Sequence, residues 1–251
     1  MPIHDWSKVE RAFFHDFNLS WAVSLSQSLN AGLLPRGYFA LCETAENHPM
    51  ARFVDLGVPA RQSNDQKRPG RGRSRQEVPP SVWAHRACEQ VEYAEKVITI
   101  RRSEDYHVVA AVRVVTADNK RGPQRLASFV KWAFEVVYSG KSLLLVDPFP
   151  AAAHDPRSVF QAIWGEFPEC DFDLPDNKPY TMASFIGTPF PEVFVEPLAA
   201  GESLPDMPLF LDAEDYVNVP LEATYRATWE ASPKIMQQAV ETGVMPEPDA
   251  E

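Results

Sequence analysis

The sequence predicts an α/β protein built on a mixed sheet, on three observations. Phe14, Phe17, Trp21, Leu25 and Leu29 recur at steps of three and four, which puts them on one stripe of a helix. A second stripe (Leu126, Phe129, Val130, Ala133, Phe134 and Val137) lies between the apolar runs 107–116 (HVVAAVRVVT) and 141–147 (KSLLLVD). A helix between two strands of one sheet is a crossover, and it makes those strands parallel. Finally, runs 37–43 and 51–57, and again 95–103 and 107–116, are separated by short polar turns, as the arms of antiparallel hairpins are.

Taken in order, the first helix covers 9–30 and is stopped by Gly32, Pro35 and Gly37. The first hairpin follows, turning at Asn47, His48 and Pro49. Residues 59–80 (PARQSNDQKRPGRGRSRQEVPP) are nearly free of apolar side chains and read as a flexible, solvated loop inserted in the domain. Arg61, Lys67, Arg68, Arg71, Arg73 and Arg75 also make this segment a candidate basic arm for phosphate, and so for nucleic acid. After the second hairpin comes the helix 123–140, with Gly140 as its C-terminal stop. The strand 141–147 is apolar on both of its faces, as a strand covered on both sides must be. A short helix is expected over 155–167, with Asp155 as N-cap and Pro156 in the first turn. YTMASFIG and PEVFVEPL read as two more strands, edge-like because prolines lie close by. A final helix, 220–232, turns Leu221, Thr224, Tyr225, Thr228 and Trp229 to the core, and the chain beyond 241 is expected to fray.

The 251 residues suffice for one large domain or two small ones, and the apolar runs are far shorter than a membrane span. The N-terminus lacks the charged-then-apolar pattern of a signal peptide, so a cytoplasmic location is the default expectation. The net charge of −11 is unevenly spread. Residues 1–150 hold 16 acidic and 20 basic side chains, a net of +4, whereas 151–251 hold 19 and 4, a net of −15. Contact with nucleic acid is therefore expected in the first part, with the acidic second part packed on it within the same domain. Cys42, Cys88 and Cys170 are far apart and form no CxxC pair, which argues against a zinc site or a disulfide framework. Cys42, inside an apolar strand, reads as a small buried residue. The sequence has no P-loop, no dinucleotide glycine fingerprint and no GxSxG elbow.

The chemistry concentrates in VVAAVRVVTADNK, 108–120. Arg113 is a permanent cation inside an apolar strand and requires either a partner or a wet edge. Thr116, Asp118, Asn119 and Lys120 follow at the strand's end, opening onto the crossover helix, where α/β folds usually build sites. Asp55, at the end of run 51–57, is a candidate to join them. Two further groups carry a blander reading. His4, Asp5 and Trp6, with His15, Asp16 and Asn18, read as capping and packing at a helix start, because no third metal ligand is signalled. His154 and Asp155, and Asp105 and His107, read as surface or capping groups. Trp83, Trp132, Trp164 and Trp229 fit core periodicity better than a stacking platform.

The segments MPIHDW, FHDFNLSW, LNAGLLPRGYFAL, VVAAVRVVTADNK, SFVKWAFEVVYSGKSLLLVDPFP and LPDMPLFL resemble a bacterial family, domain of unknown function family four thousand and fifty-eight, over nearly the whole chain. More distantly, the order helix–β–β–β–helix–β resembles the core of the PD-(D/E)XK restriction-endonuclease-like superfamily. That resemblance implies a nuclease-like core over 1–150 and an acidic extension over 151–251. It also implies an Asp and a Glu on adjacent strands holding Mg²⁺, and a Lys that orients the attacking water. By the same resemblance Asp55 takes the Asp position, Lys120 the Lys position, and Arg113 the place of the Glu. A cation there removes a metal ligand and repels the metal. Two readings stay open. In one the metal site is lost, and Arg113 pairs with Asp55, Glu43 or another inward carboxylate. In the other, Glu43 or Asp118 has migrated in as a ligand beside Asp55, Mg²⁺ still binds, and Arg113 holds phosphate. A binding or assembly role without catalysis is the leading expectation. An active nuclease and a protein-interaction module are the alternatives.

Overall fold

A computed structural model describes residues 3–44, 95–150, 158–167, 174–175 and 177–244. Its centre is a six-stranded mixed sheet in the order β1-β2-β3-β4-β5-β6, formed by β1 (Tyr38–Thr44), β2 (Lys96–Arg102), β3 (Val108–Val114), β4 (Ser142–Asp147), β5 (Tyr180–Ile186) and β6 (Glu192–Leu198). Only β3 and β4 run parallel, and they are joined through α2 (Pro123–Tyr138) as the crossover reading requires. The other neighbouring pairs are antiparallel.

Both faces of the sheet are covered, which explains the uninterrupted apolar run of β4. Leu144 and Val146 join one core with α1 (Arg11–Ser28), α4 (Leu221–Ala231), α5 (Lys234–Thr242) and the ribbon β7–β8 (Met207–Phe210 and Tyr216–Val219). Leu143 and Leu145 join the opposite core with α2 and α3 (Val159–Trp164). The five residues of the first helical stripe are all buried. Gly140, at φ +79°, closes α2 with paired bonds, its own N–H to the Val137 carbonyl and that of Lys141 to the Val136 carbonyl. No helix among the described residues is long and apolar enough to cross a membrane.

The observed elements differ from the expected ones at four places. β5 is interior and buried at every position, because its flanking prolines, Pro179 and Pro189, fall outside the ladder and cost it no hydrogen bond. The second of the paired strands, β6, is the edge. The helix α3 begins at Val159 with Ser158 as its cap, the hydroxyl accepting from the Gln161 N–H at 3.1 Å, and Asp155 lies outside the described residues. The ribbon β7–β8 and helix α5 had no counterpart in the sequence reading. The expected strand 51–57, the loop 59–80 and the two cysteines at 88 and 170 also lie outside the described residues.

His4, Asp5 and Trp6 cap and pack the N-terminus, whereas His15 lines the cleft described below. Asp5 caps the short helix Trp6–Lys8 by accepting from the Ser7 N–H at 3.1 Å. The Tyr225 hydroxyl accepts from Trp6 Nε1–H at 3.1 Å and from the His4 N–H at 3.2 Å. With both lone pairs used, it donates to His4 Nδ1, 2.7 Å away. The imidazole stacks on Trp229 with ring centres 3.8 Å apart. Tyr225→Phe leaves two donors without an acceptor, and urea unfolding should show a loss of about 2–3 kcal/mol. Burial lowers the His4 pKa from 6.5, with Glu241 pulling it back up. The fold thus favours the neutral ring, and this contribution is complete above pH 6.5 and lost as pH falls through the lowered value. Melting temperatures between pH 7.5 and 5 should fall less steeply in His4→Gln than in the native chain.

Candidate functional site

Arg113 projects from β3 toward α2, where its guanidinium lies over Phe129 at 5.7 Å and Trp132 at 5.5 Å. Its Nη1 donates to the Lys96 carbonyl at 2.9 Å, and its Nη2 pairs with Glu95. The Ile98↔Val112 register explains this partner. One step along, Val97 stands opposite Arg113, and Glu95 follows two residues further on the same face. Glu95 is held from the other side as well. Its Oε1 accepts from Thr116 Oγ1 at 2.8 Å and from Asn119 Nδ2 at 2.9 Å, while Asn119 Oδ1 accepts from the Thr116 N–H at 2.8 Å. Burial lowers the pKa of the Arg113 guanidinium from its usual value, and the Glu95 charge opposes that shift. With a side chain only 4% exposed, Arg113 faces its carboxylate rather than solvent.

Lys120 lies in the same β3–α2 loop but is tied to β4. Its Nζ is 2.7 Å from Asp147 Oδ2, and it donates to the carbonyls of Phe149 at 3.0 Å and Pro150 at 3.2 Å. Both side chains of this ion pair are buried. Asp147 in turn accepts from the Phe149 N–H at 3.2 Å, which bends the chain as it leaves the sheet.

A small cleft opens at the C-terminal ends of β3 and β4, between α1 and the β3–α2 loop. Arg11, Phe14 and His15 form one wall, with Glu95, Thr116, Asp118 and Phe149 around the rest. Asp118 is 3.0 Å from Arg11 and 3.8 Å from Arg121. Burial lowers the His15 pKa, against the pull of Asp16, Glu95 and Asp118.

The loop therefore brings Asn119 and Asp118 to this end of the sheet together with Arg113 and Lys120, but the two cations are occupied by separate carboxylates. Glu43 is not at the cleft. On β1 it accepts from Thr99 Oγ1 and pairs with Arg101 Nη2 at 2.9 Å, so the partner of Arg113 is Glu95 and not Glu43. Asp55 and the basic side chains Arg61, Lys67, Arg68, Arg71, Arg73 and Arg75 lie outside the described residues. Glu95, Asp147 and Arg11 were missed in the sequence, although an aspartate closing the all-apolar LLLVD run was a visible signal. Asp105 caps its own turn by accepting from the His107 N–H at 3.0 Å. Cys42 is half-buried, and burial raises its pKa, the reverse of what an activated thiolate needs.

The described donor set does not fit a magnesium ion. Glu43, Glu95 and Asp118 each carry an arginine partner, and among the described residues no group of three His, Cys, Asp or Glu side chains is placed to hold a metal ion.

No family model, curated protein or solved structure matches the chain.

Proposed function

We propose that this protein has a restriction-endonuclease-like core whose metal site has been replaced by a salt bridge, and that it binds rather than cuts. The observation that carries this reading is the Arg113–Glu95 pair. A carboxylate at the head of β2 is held by a buried cation and two hydrogen-bonding side chains. Nucleic acid is the proposed ligand, contacted through the basic segment 61–75, with Arg11 and Arg121 available beside the cleft.

The test is a cleavage assay on single- and double-stranded DNA and RNA with Mg²⁺ or Mn²⁺. The expected result is no cleavage, together with binding that weakens steeply with salt and is lost when the arginines of 61–75 are replaced. Metal-dependent cutting that Asp55→Ala abolishes would overturn the reading. One observation favours the active alternative: Asp118 and Glu95 line the same cleft. If that alternative holds, Asp118→Ala removes the cutting while leaving the melting temperature within about 2 °C, since among the described residues the ion-pair partners of Asp118 are exposed arginines.

A further inference from the structure

We infer that the outer edge of β6, with the aromatic ridge beside it, is a docking surface for an extended, basic segment of another protein. This surface is independent of the cleft and of any role in binding nucleic acid.

The hydrogen-bonding polarity of the sheet shows which groups are open. The Val115 N–H donates to the Val146 carbonyl at 2.8 Å, so Val146 turns its main chain toward β3. Leu145 and Asp147 therefore turn theirs toward β5, where they stand opposite Ala183 and Thr181. The alternate β5 residues, Met182 and Ser184, then face β6 and meet Glu196 and Phe194. What remains pointing outward is the N–H and C=O of Val193 and Val195. Pro197, which has no N–H to lose, falls in the same outward set, as a proline inside a ladder must. Among the described residues no strand pairs with this edge.

The side chains beside it specify the partner. Glu192, Phe194 and Glu196 alternate along one exposed face of β6. Phe194 is 48% exposed and stacks on Phe210 at 5.3 Å, which meets Tyr216, itself 54% exposed, at 5.4 Å. Among the described residues neither Glu192 nor Glu196 has a basic partner. The nearby β7–β8 turn adds Asp212, Glu214 and Asp215. A second copy of β6 is a poor occupant, because two-fold pairing about Phe194 sets Glu192 against Glu196. A strand with arginine or lysine at alternate positions satisfies the open main-chain groups, the two carboxylates and the aromatic faces together. Charges on an edge strand also discourage aggregation, but that role does not call for an exposed aromatic ridge.

The test uses the full chain and a ten-residue peptide alternating arginine and valine, with an alternating glutamate–valine peptide as control. The arginine peptide should bind, weaken with salt, and slow hydrogen exchange at the Val193 and Val195 amides. Replacing both Glu192 and Glu196 by lysine should weaken binding by about tenfold or more, and Val195→Pro should remove one of the two protected amides. If Val195→Pro does not fold, the double lysine variant, altered only at exposed positions, still decides. Binding without protection of these two amides would overturn the proposal, as would equal binding of the glutamate peptide. Protection that develops in the protein alone as its concentration rises would overturn it in favour of a second copy.

Discussion

Arg113→Leu should destabilise the protein by about 3 kcal/mol in urea unfolding, and Arg113→Leu combined with Glu95→Gln should recover most of that loss. The single variant removes the cation and leaves the Glu95 carboxylate with only Thr116 and Asn119 as donors. It also removes the planar group that packs against Phe129 and Trp132. Glu95 is 23% exposed and water can reach it, which sets the expected loss at the lower end of the range for breaking a buried pair. Because Arg113 is itself buried, the loss should change little with salt. A loss below about 1 kcal/mol, with nucleic-acid binding abolished instead, would identify Arg113 as a ligand clamp rather than a structural cation.

The need for a partner at Arg113 was legible in the sequence, since a permanent cation in VVAAVRVVT cannot be left alone. The partner's identity was not. Glu95 lies 18 residues earlier and reaches Arg113 only through the β2–β3 register, which a one-residue slip would reverse. The long, strongly periodic elements α1 and α2 could be read directly, because each repeats its apolar stripe over several turns. The four-residue strands β7 and β8 carry too few alternations to stand out, and Pro208 lies inside one of them. Helix α5 buries only Met236, Ala239 and Val240 over nine residues, and it follows Pro233, a residue that in sequence reads as a terminator. The edge-strand reading of β5 failed because proline bars a strand from a sheet interior only when it sits within the ladder. Pro197 does sit there, and β6 is the edge.

Asp147→Ala should cost about 3–5 kcal/mol, more than the loss of Arg113. The side chains of Lys120 and Asp147 are 4% and 1% exposed, so an ammonium left without its carboxylate has little water to replace it. The carbonyls of Phe149 and Pro150 would still accept from Lys120, but neither carries a charge. The turn after β4 would also lose the bond from the Phe149 N–H to Asp147, and Phe149 forms part of the cleft wall. Lys120→Met with Asp147→Leu separates structure from chemistry at this site. If the lysine only fastens the β3–α2 loop to β4, the double variant recovers most of the stability and keeps whatever binding the native chain has. If Lys120 acts on a ligand, the double variant folds but loses that activity, as Lys120→Met alone would. The geometry favours the first outcome, because Asp147 and the two carbonyls already direct the ammonium inward, and an amine so engaged is poorly placed to orient an attacking water.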